Sequence, residues 1–188
     1  MTVSYKAKMP LVEQAREILN VERAIQLGGR LTSIRSISHL PAHKVNRIFL
    51  ELDGIRTQGM SPSSPAWFSN YAHNSQAICV LHVLERKPGR DLATAIRIHE
   101  GYLDLIKCEA ILPIIEFSRT VLIMRFFPRI LSLTRCTCCN LKRLKIEGDL
   151  PDKTCCFCQV SAHAEPVSLR KHYHLIRKLS EEVEVAHA

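Results

Sequence analysis

The stretch "RLTSIRSISHLPAHKVNRIFLELDG", residues 30–54, carries two apolar patterns of helical spacing on either side of a three-residue turn. Leu31, Ile34 and Ile37 share one face of a short helix. After "SHL", Val45, Ile48, Phe49 and Leu52 fall at i, i+3, i+4 and i+7, with Pro41 suited to a first helical turn and Gly54 to an exit. Upstream, "PLVEQAREILNVERAIQLGG" (10–29) sets Leu11, Ala15, Ile18, Leu19, Glu22 and Ile25 at helical spacing, an apolar stripe that only Glu22 breaks and that Gly28 and Gly29 end. A long helix, a short helix, a tight turn and a further helix predict a helix-turn-helix-like segment over about 11–54. The last of these would be the recognition helix, with His43, Lys44, Asn46, Arg47 and Glu51 outward and Lys44 and Arg47 as candidate DNA contacts. An ordinary helical hairpin with a solvated polar face shows the same pattern.

Beyond this segment the sequence continues as helices. "DGIRTQGMSPSSPAWF" (53–68) is a Gly/Pro/Ser-rich loop closed by Trp67 and Phe68, read as packing anchors. "SNYAHNSQAICVLHVLERK" (69–87) predicts a helix burying Ala77, Val80, Leu81 and Leu84, and Pro88 and Gly89 punctuate it. "RDLATAIRIHEGYLDLIK" (90–107) predicts another, with Leu92, Ala95, Ile96, His99, Leu103 and Leu105 near one face and His99 as a packing residue rather than a ligand. The most apolar stretch, 111–133, is interrupted by Glu116, Arg119, Arg125 and Arg129, which argues against a membrane span and for a buried helix limited by Pro128. The predicted fold class is mainly α: a helical bundle over residues 1–130, a small zinc-ribbon-like module with four cysteine ligands at 131–165, and a basic C-terminal helix or tail at 166–188.

The module rests on "RCTCCNLKRLKIEGDLPDKTCCFC" (135–158), which holds six of the chain's eight cysteines in two clusters. A two-residue gap lets the chain turn so that two thiolates face one ion, and each cluster has one pair with that gap. The set is Cys136, Cys139, Cys155 and Cys158, a C-x2-C-x15-C-x2-C zinc signature. Cys138 and Cys156 are then spare thiols and leave the ligand choice open. Four thiolates fill a tetrahedral site, so one zinc per chain would be structural rather than catalytic. Asn140, after the second cysteine, tolerates the left-handed turn that often follows such a pair. The intervening "NLKRLKIEGDLPDKT" reads as a strand, a turn near Gly148 and Asp149, and a return.

Net charge is +8 over 188 residues, and 135–178 alone carries nine basic and four acidic residues, a net of +5. That balance favours a polyanionic partner such as double-stranded DNA, with Lys142, Arg143 and Lys145 on the ribbon and Arg170 and Lys171 on the last helix as candidate phosphate contacts. A solvated basic tail is the plain alternative. The opening "MTVSYKAKMPLVEQAREI" has no continuous apolar core, so no secretory signal is expected and a cytoplasmic location is, where clustered cysteines hold metal more often than disulfides. No H-E-x-x-H, Walker or dinucleotide-binding pattern occurs, and four cysteine ligands would leave a metal no open position, which speaks against an enzyme.

The pieces "GMSPSSPAWF" (59–68), "LTRCTCC" (133–139), the second cysteine cluster and the front segment "AREI…LGGRLTSI…SHLPAHKVNRIFLEL" together resemble the FlhC family, the zinc-containing subunits of the bacterial flagellar master regulator, from about Ala15 to about Ala164. The resemblance implies a transcriptional activator of class II flagellar promoters that works in a heterohexamer with FlhD, a small helical partner, upstream of RNA polymerase. It also implies zinc ligands at the outer cysteines of each cluster, which map onto Cys136, Cys139, Cys155 and Cys158. A zinc-ribbon protein-interaction module without direct DNA contact is the rival reading.

Overall fold

A computed structural model of the chain describes residues 9–52, 64–148, 157–158 and 167–185. The chain runs through α1 (Leu11–Gln26), α2 (Leu31–Ile37), α3 (Ala42–Leu52), a 3-10 turn at Pro65–Ser69, α4 (Tyr71–Arg86), α5 (Leu92–Cys108) and α6 (Phe117–Phe126). It then forms a two-stranded ribbon, β1 (Leu131–Arg135) and β2 (Lys142–Ile146), and ends in α7 (Val167–Val185). The fold is mainly helical with a small sheet, as the apolar periods predict. No helix among the described residues is long and apolar enough to cross a membrane.

Every residue of α4 from Asn74 to Leu84 is buried, so this helix has no solvent face along most of its length. A helix buried all round must be walled on every side, and α5, α6, α7, β2 and the 3-10 turn supply the walls. Side chains start the central helices cleanly: Asn70 Oδ1 accepts from Ala72 N at 2.9 Å, and Asp91 Oδ1 accepts from Thr94 N at 2.7 Å. The Thr94 N–H bond holds the Asp91 carboxyl below its ordinary pKa. The polar residues carried into the core are joined to one another. Gln76 on α4 donates to Leu112 O at 2.8 Å, lies 3.1 Å from His172 Nε2 on α7, and accepts from Ile114 N at 2.9 Å and from the Tyr102 hydroxyl on α5. One amide thus pins two helices and the 112–114 loop onto α4.

At the front, α2, the turn and α3 follow the predicted order, with Ile34, Leu40, Val45 and Phe49 buried. Gly28, at φ +78°, ends α1 in a conformation that favours glycine, and its N–H bonds Ile25 O at 2.9 Å. A Cβ on Gly29 would lie 2.6 Å from Ala24 O and 2.9 Å from a Phe117 ring carbon, so only glycine lets the α1–α2 corner approach α6. The stripe expected on α1 is corrected. Leu11, Ala15, Ile18 and Leu19 face solvent, and Glu17, Val21, Ala24 and Ile25 face inward. Glu17 decides that rotation. Its carboxylate accepts from His39 N at 2.8 Å and from Ser38 Oγ at 3.0 Å, tying α1 to the turn between α2 and α3.

Within the apolar stretch 111–133 the buried helix limited by Pro128 is α6, and Leu131–Leu133, beyond that proline, open β1, a strand not expected there. β1 pairs antiparallel with β2, Leu131 opposite Ile146 and Arg135 opposite Lys142. The partner of β2 among the described residues is therefore the strand before the first cysteine cluster. The expected return after Gly148 falls in 149–156, outside the described residues. The inner ribbon residues Leu131, Leu144 and Ile146 and the α7 residues Leu175, Ile176 and Leu179 join the same core cluster as the helical body.

His99 is 3 % exposed and its Nδ1 lies 2.8 Å from Thr120 Oγ1, the packing role its position predicts. Burial lowers its pKa to about 4. The unfolded chain, with His99 near 6.5, binds the extra proton first, so this residue's contribution to stability is intact above about pH 6.5 and declines toward pH 4, by about 3 kcal/mol in all. We expect the urea midpoint of the wild type to fall more steeply over that window than that of His99→Asn; parallel profiles would show that His99 is not buried neutral.

Candidate functional site

The ribbon's turn is a knuckle. Cys136 N donates to Leu141 O at 3.0 Å and Asn140 N donates to Cys136 O at 3.0 Å, closing the loop between β1 and β2. Asn140 has φ +57°, the left-handed conformation foreseen for it, and this lets the chain double back directly after Cys139. The Sγ atoms of Cys136, Cys139 and Cys158 all lie within 4.8 Å of one another, and Cys136 and Cys158 are 3.7 Å apart. Two sulfurs on one tetrahedral ion with bonds of ~2.3 Å would lie about 3.8 Å apart. A disulfide would need about 2.05 Å. The three thiols could therefore hold a metal ion.

The remaining cysteines are placed as follows. Cys155 and Cys156 lie outside the described residues. Cys138 is exposed, and its N–H points at Cys136 Sγ at 3.4 Å, a bond that favours the thiolate. Cys79 is deep in α4, where burial pushes its thiol up to about 12, and Cys108 is exposed at the end of α5; neither belongs to the cluster. Within the cluster, burial raises the Cys136 thiol, but the N–H groups of Cys139 and Cys138 and the thiols of Cys158 and Cys139 outweigh it and leave its pKa below the ordinary value. Cys158 moves up, through burial and then through hydrogen bonds with the neighbouring thiols.

Three side chains that sequence reading did not single out hold the knuckle on the body. Asn74, on α4, pairs with β2 as another strand would: its Oδ1 accepts from Leu144 N and its Nδ2 donates to Leu144 O, both at 3.2 Å. Ser180, on α7, accepts from Lys142 N at 3.1 Å through its hydroxyl and donates to Ile176 O at 2.7 Å. Arg135 donates to Asn140 O at 3.2 Å and to Ser180 O at 3.0 Å, linking the turn of the knuckle to α7. The outer edge of β2 is thus covered by side chains.

The candidate phosphate contacts separate by strand alternation. Lys142, Leu144 and Ile146 face inward, Arg143 and Lys145 are half-buried on the other face. The Lys142 ammonium lies 3.7 Å from a Glu85 carboxylate with its side chain 10 % exposed, so it is turned to the body and not to solvent. Arg143 Nε donates to Thr134 Oγ1 at 3.3 Å. On α7, Arg170 is exposed and Lys171 Nζ donates to Ala110 O at 3.2 Å. On α3, Lys44 is half-buried and Arg47 is exposed, 2.9 Å from Glu51 one turn on. Trp67, read as an anchor, stacks on His73 at 3.5 Å between centroids, with the Arg119 guanidinium 4.1 Å from its ring.

A family model described as "Flagellar transcriptional activator (FlhC)" matches residues 6–171. Curated relatives, each called flagellar transcriptional regulator FlhC, include one from Thauera aminoaromatica, 25% identical over 161 residues, 82% of this chain and 83% of that protein. One from Nitrosomonas eutropha is 24% identical over 161 residues, 82% of this chain and 84% of its own. One from Cupriavidus necator is 29% identical over 141 residues, 72% and 68%. Fold and site define a class: a helical protein carrying a thiol knuckle on a two-stranded ribbon. Within that class, the chain belongs to the FlhC family of flagellar transcriptional regulators.

We expect Cys136→Ala and Cys158→Ala each to lose nearly all bound metal, and Cys138→Ser to keep about one ion per chain, measured by mass spectrometry of purified protein. Loss of metal in Cys138→Ser with retention in Cys136→Ala would reverse the choice of ligands.

Proposed function

We propose that this chain is the DNA-contacting subunit of a hetero-oligomeric activator of flagellar promoters, organised by a structural zinc and acting with a small helical partner of the FlhD kind. The convergence of the Cys136, Cys139 and Cys158 sulfurs carries this reading, together with family membership. Zinc would be held by these three and by Cys155. When bound it would neutralise the thiolates that otherwise repel one another and fix the turn. A two-stranded ribbon is marginal alone, and the ion would convert it into a rigid platform on α4 and α7. Residues 131–165 are in this sense the metal-organised unit and 1–130 the helical body. The soft, all-sulfur donor set suits zinc rather than a hard oxygen-seeking ion.

On the platform Arg143 and Lys145 would meet phosphates, with Arg170 a further candidate on α7. Lys171 would do so only by leaving Ala110 O. Lys142 supports the fold instead, through Glu85. At the front, Lys44 and Arg47 would probe a groove from α3. Arg47 would exchange Glu51, on an ion pair whose side chains are 83 % and 61 % exposed, for a phosphate or base edge, an exchange that costs little for so solvated a pair.

The apolar side of α1 supports the need for a partner. Leu11 is 80 % exposed, Val12 65 % and Leu19 62 %, on the row that the chain's own core leaves uncovered. Work in the cytoplasm beside RNA polymerase follows from this function. The rival reading, a partner-binding module that never touches DNA, is favoured by the inward turn of Lys142 alone. The two separate in one assay. The co-purified assembly should retard flagellar promoter DNA, and Arg143→Ala with Lys145→Ala should flatten log K against log salt by about 1.8, whereas Lys142→Ala should leave the slope unchanged. An assembly that forms but retards no promoter would favour the rival.

A further inference from the structure

Between the end of α2, the loop joining α4 to α5, and the outer side of α6 lies a cleft of about 380 Å³, lined by Ser36, Ile37, Arg90, Val121, Met124 and Arg125. Its floor is apolar, with Val121 and Met124 buried in the body. Arg90 and Arg125 are both exposed. Many other cations of the described residues lie against carboxylates: Arg23 on Glu100, Arg30 on Glu116, Arg47 on Glu51, Lys142 on Glu85. Arg90 and Arg125 have no such partner among the described residues, as Arg16, Arg35 and Arg129 have none; what sets Arg90 and Arg125 apart is that both line one cleft. Asp91, next to Arg90 in sequence, is committed to capping Thr94 N at 2.7 Å. Two unneutralised guanidinium groups beside one cleft are an anion site in search of its anion.

The anion's nature follows from the cleft's shape and place. An apolar floor with a charged rim suits an anion joined to an apolar body, as a backbone phosphate is joined to deoxyribose. Ser36 and Ile37 close α2, and α3 begins at Ala42, so whatever fills the cleft abuts the turn that aims α3. Glu17 on α1 fixes that turn through His39 N and Ser38 Oγ. We propose that the Arg90–Arg125 cleft holds one backbone phosphodiester of double-stranded DNA and sets the register in which α3 lies against the groove. This rests on the DNA-binding reading above and adds to it a contact on the helical body, outside both the recognition helix proposed there and the ribbon. Phosphate contacts position a protein without reading sequence, and the cleft acts in that way: the guanidinium groups take the phosphate oxygens, and Ile37, Val121 and Met124 take the sugar.

The test uses the chain co-purified with its partner, on flagellar promoter DNA and on a scrambled duplex of equal length, from 50 to 200 mM salt. Arg90→Gln with Arg125→Gln should weaken binding to both duplexes alike, about tenfold at low salt, and reduce the log–log salt slope by about 0.9, one phosphate's worth. Arg90→Lys with Arg125→Lys keeps the charge and loses the fork, so it should keep the slope and lose part of the affinity. Both pairs are exposed, and an unchanged thermal midpoint checks that the fold survives. Wild-type slope and affinity in the glutamine pair would overturn the cleft assignment while leaving the proposed function standing. DNA binding retained alongside loss of partner assembly would assign the cleft to an acidic protein segment and overturn it equally. Failure of the wild-type assembly to bind any duplex would remove the proposed function, and the cleft's role with it.

Discussion

Three sulfurs have to meet where two short strands turn, and the rest of the carboxyl-terminal half is arranged to let them. Cys136 and Cys139 reach one point because Asn140 takes a left-handed conformation, and Cys158 comes from the far end of the cysteine-rich segment. Each thiol gives up solvent to get there, and the two that are hydrogen-bonded to each other are driven apart, Cys136 held below its ordinary pKa by hydrogen bonds to its sulfur and Cys158 pushed up by burial. Such a cluster is a poor resting state for sulfur and a good one for a thiophilic metal. Metal affinity then becomes folding free energy, because the unfolded chain has no preformed site.

The knuckle matters to the whole because it is seated on the most buried helix. Asn74 joins β2 to α4, Ser180 joins it to α7, and Arg135 joins the turn to α7. Gln76, half a turn from Asn74, joins α4 to α5 and α7 by way of Tyr102 and His172. Polar residues on one helix therefore set the angle of the ribbon and of the last helix together. At the other end Glu17 plays the same part for the turn between α2 and α3. Buried polar groups of this kind are costly unless every partner is present, which makes them orienting devices rather than a source of bulk stability.

Much of this is legible in the sequence, and the failures have physical causes. The cysteine spacing points to the outer pair of each cluster, since only a two-residue gap aims two thiolates at one ion; of these Cys136, Cys139 and Cys158 converge, and Cys155 lies outside the described residues. α2 and α3 are legible because their apolar residues repeat at a single helical period, whereas in α4 the row Ala77, Val80, Leu81 and Leu84 is only part of a helix buried on every side. Periodicity misreads α1, which carries two apolar rows, because it cannot say which row faces inward; the hydrogen bonds of Glu17 make the choice, and they are made with residues of the turn after α2. β1 is hidden in an apolar stretch whose composition suits helix and strand alike, and only its pairing with β2 separates them. Charge alone makes Lys142 a phosphate contact, although strand alternation places it with Leu144 and Ile146. Asn74 and Ser180 act through residues distant in sequence, and one sequence carries no trace of such pairings.

The proposal that a single ion bound wholly by sulfur shapes the ribbon is tested most directly by X-ray absorption at the zinc edge on the purified assembly. The expected spectrum shows about one zinc per chain with four sulfur neighbours at ~2.3 Å and no nitrogen or oxygen ligand. A mixed sulfur and nitrogen or oxygen shell, or fully folded protein with no metal, would contradict it.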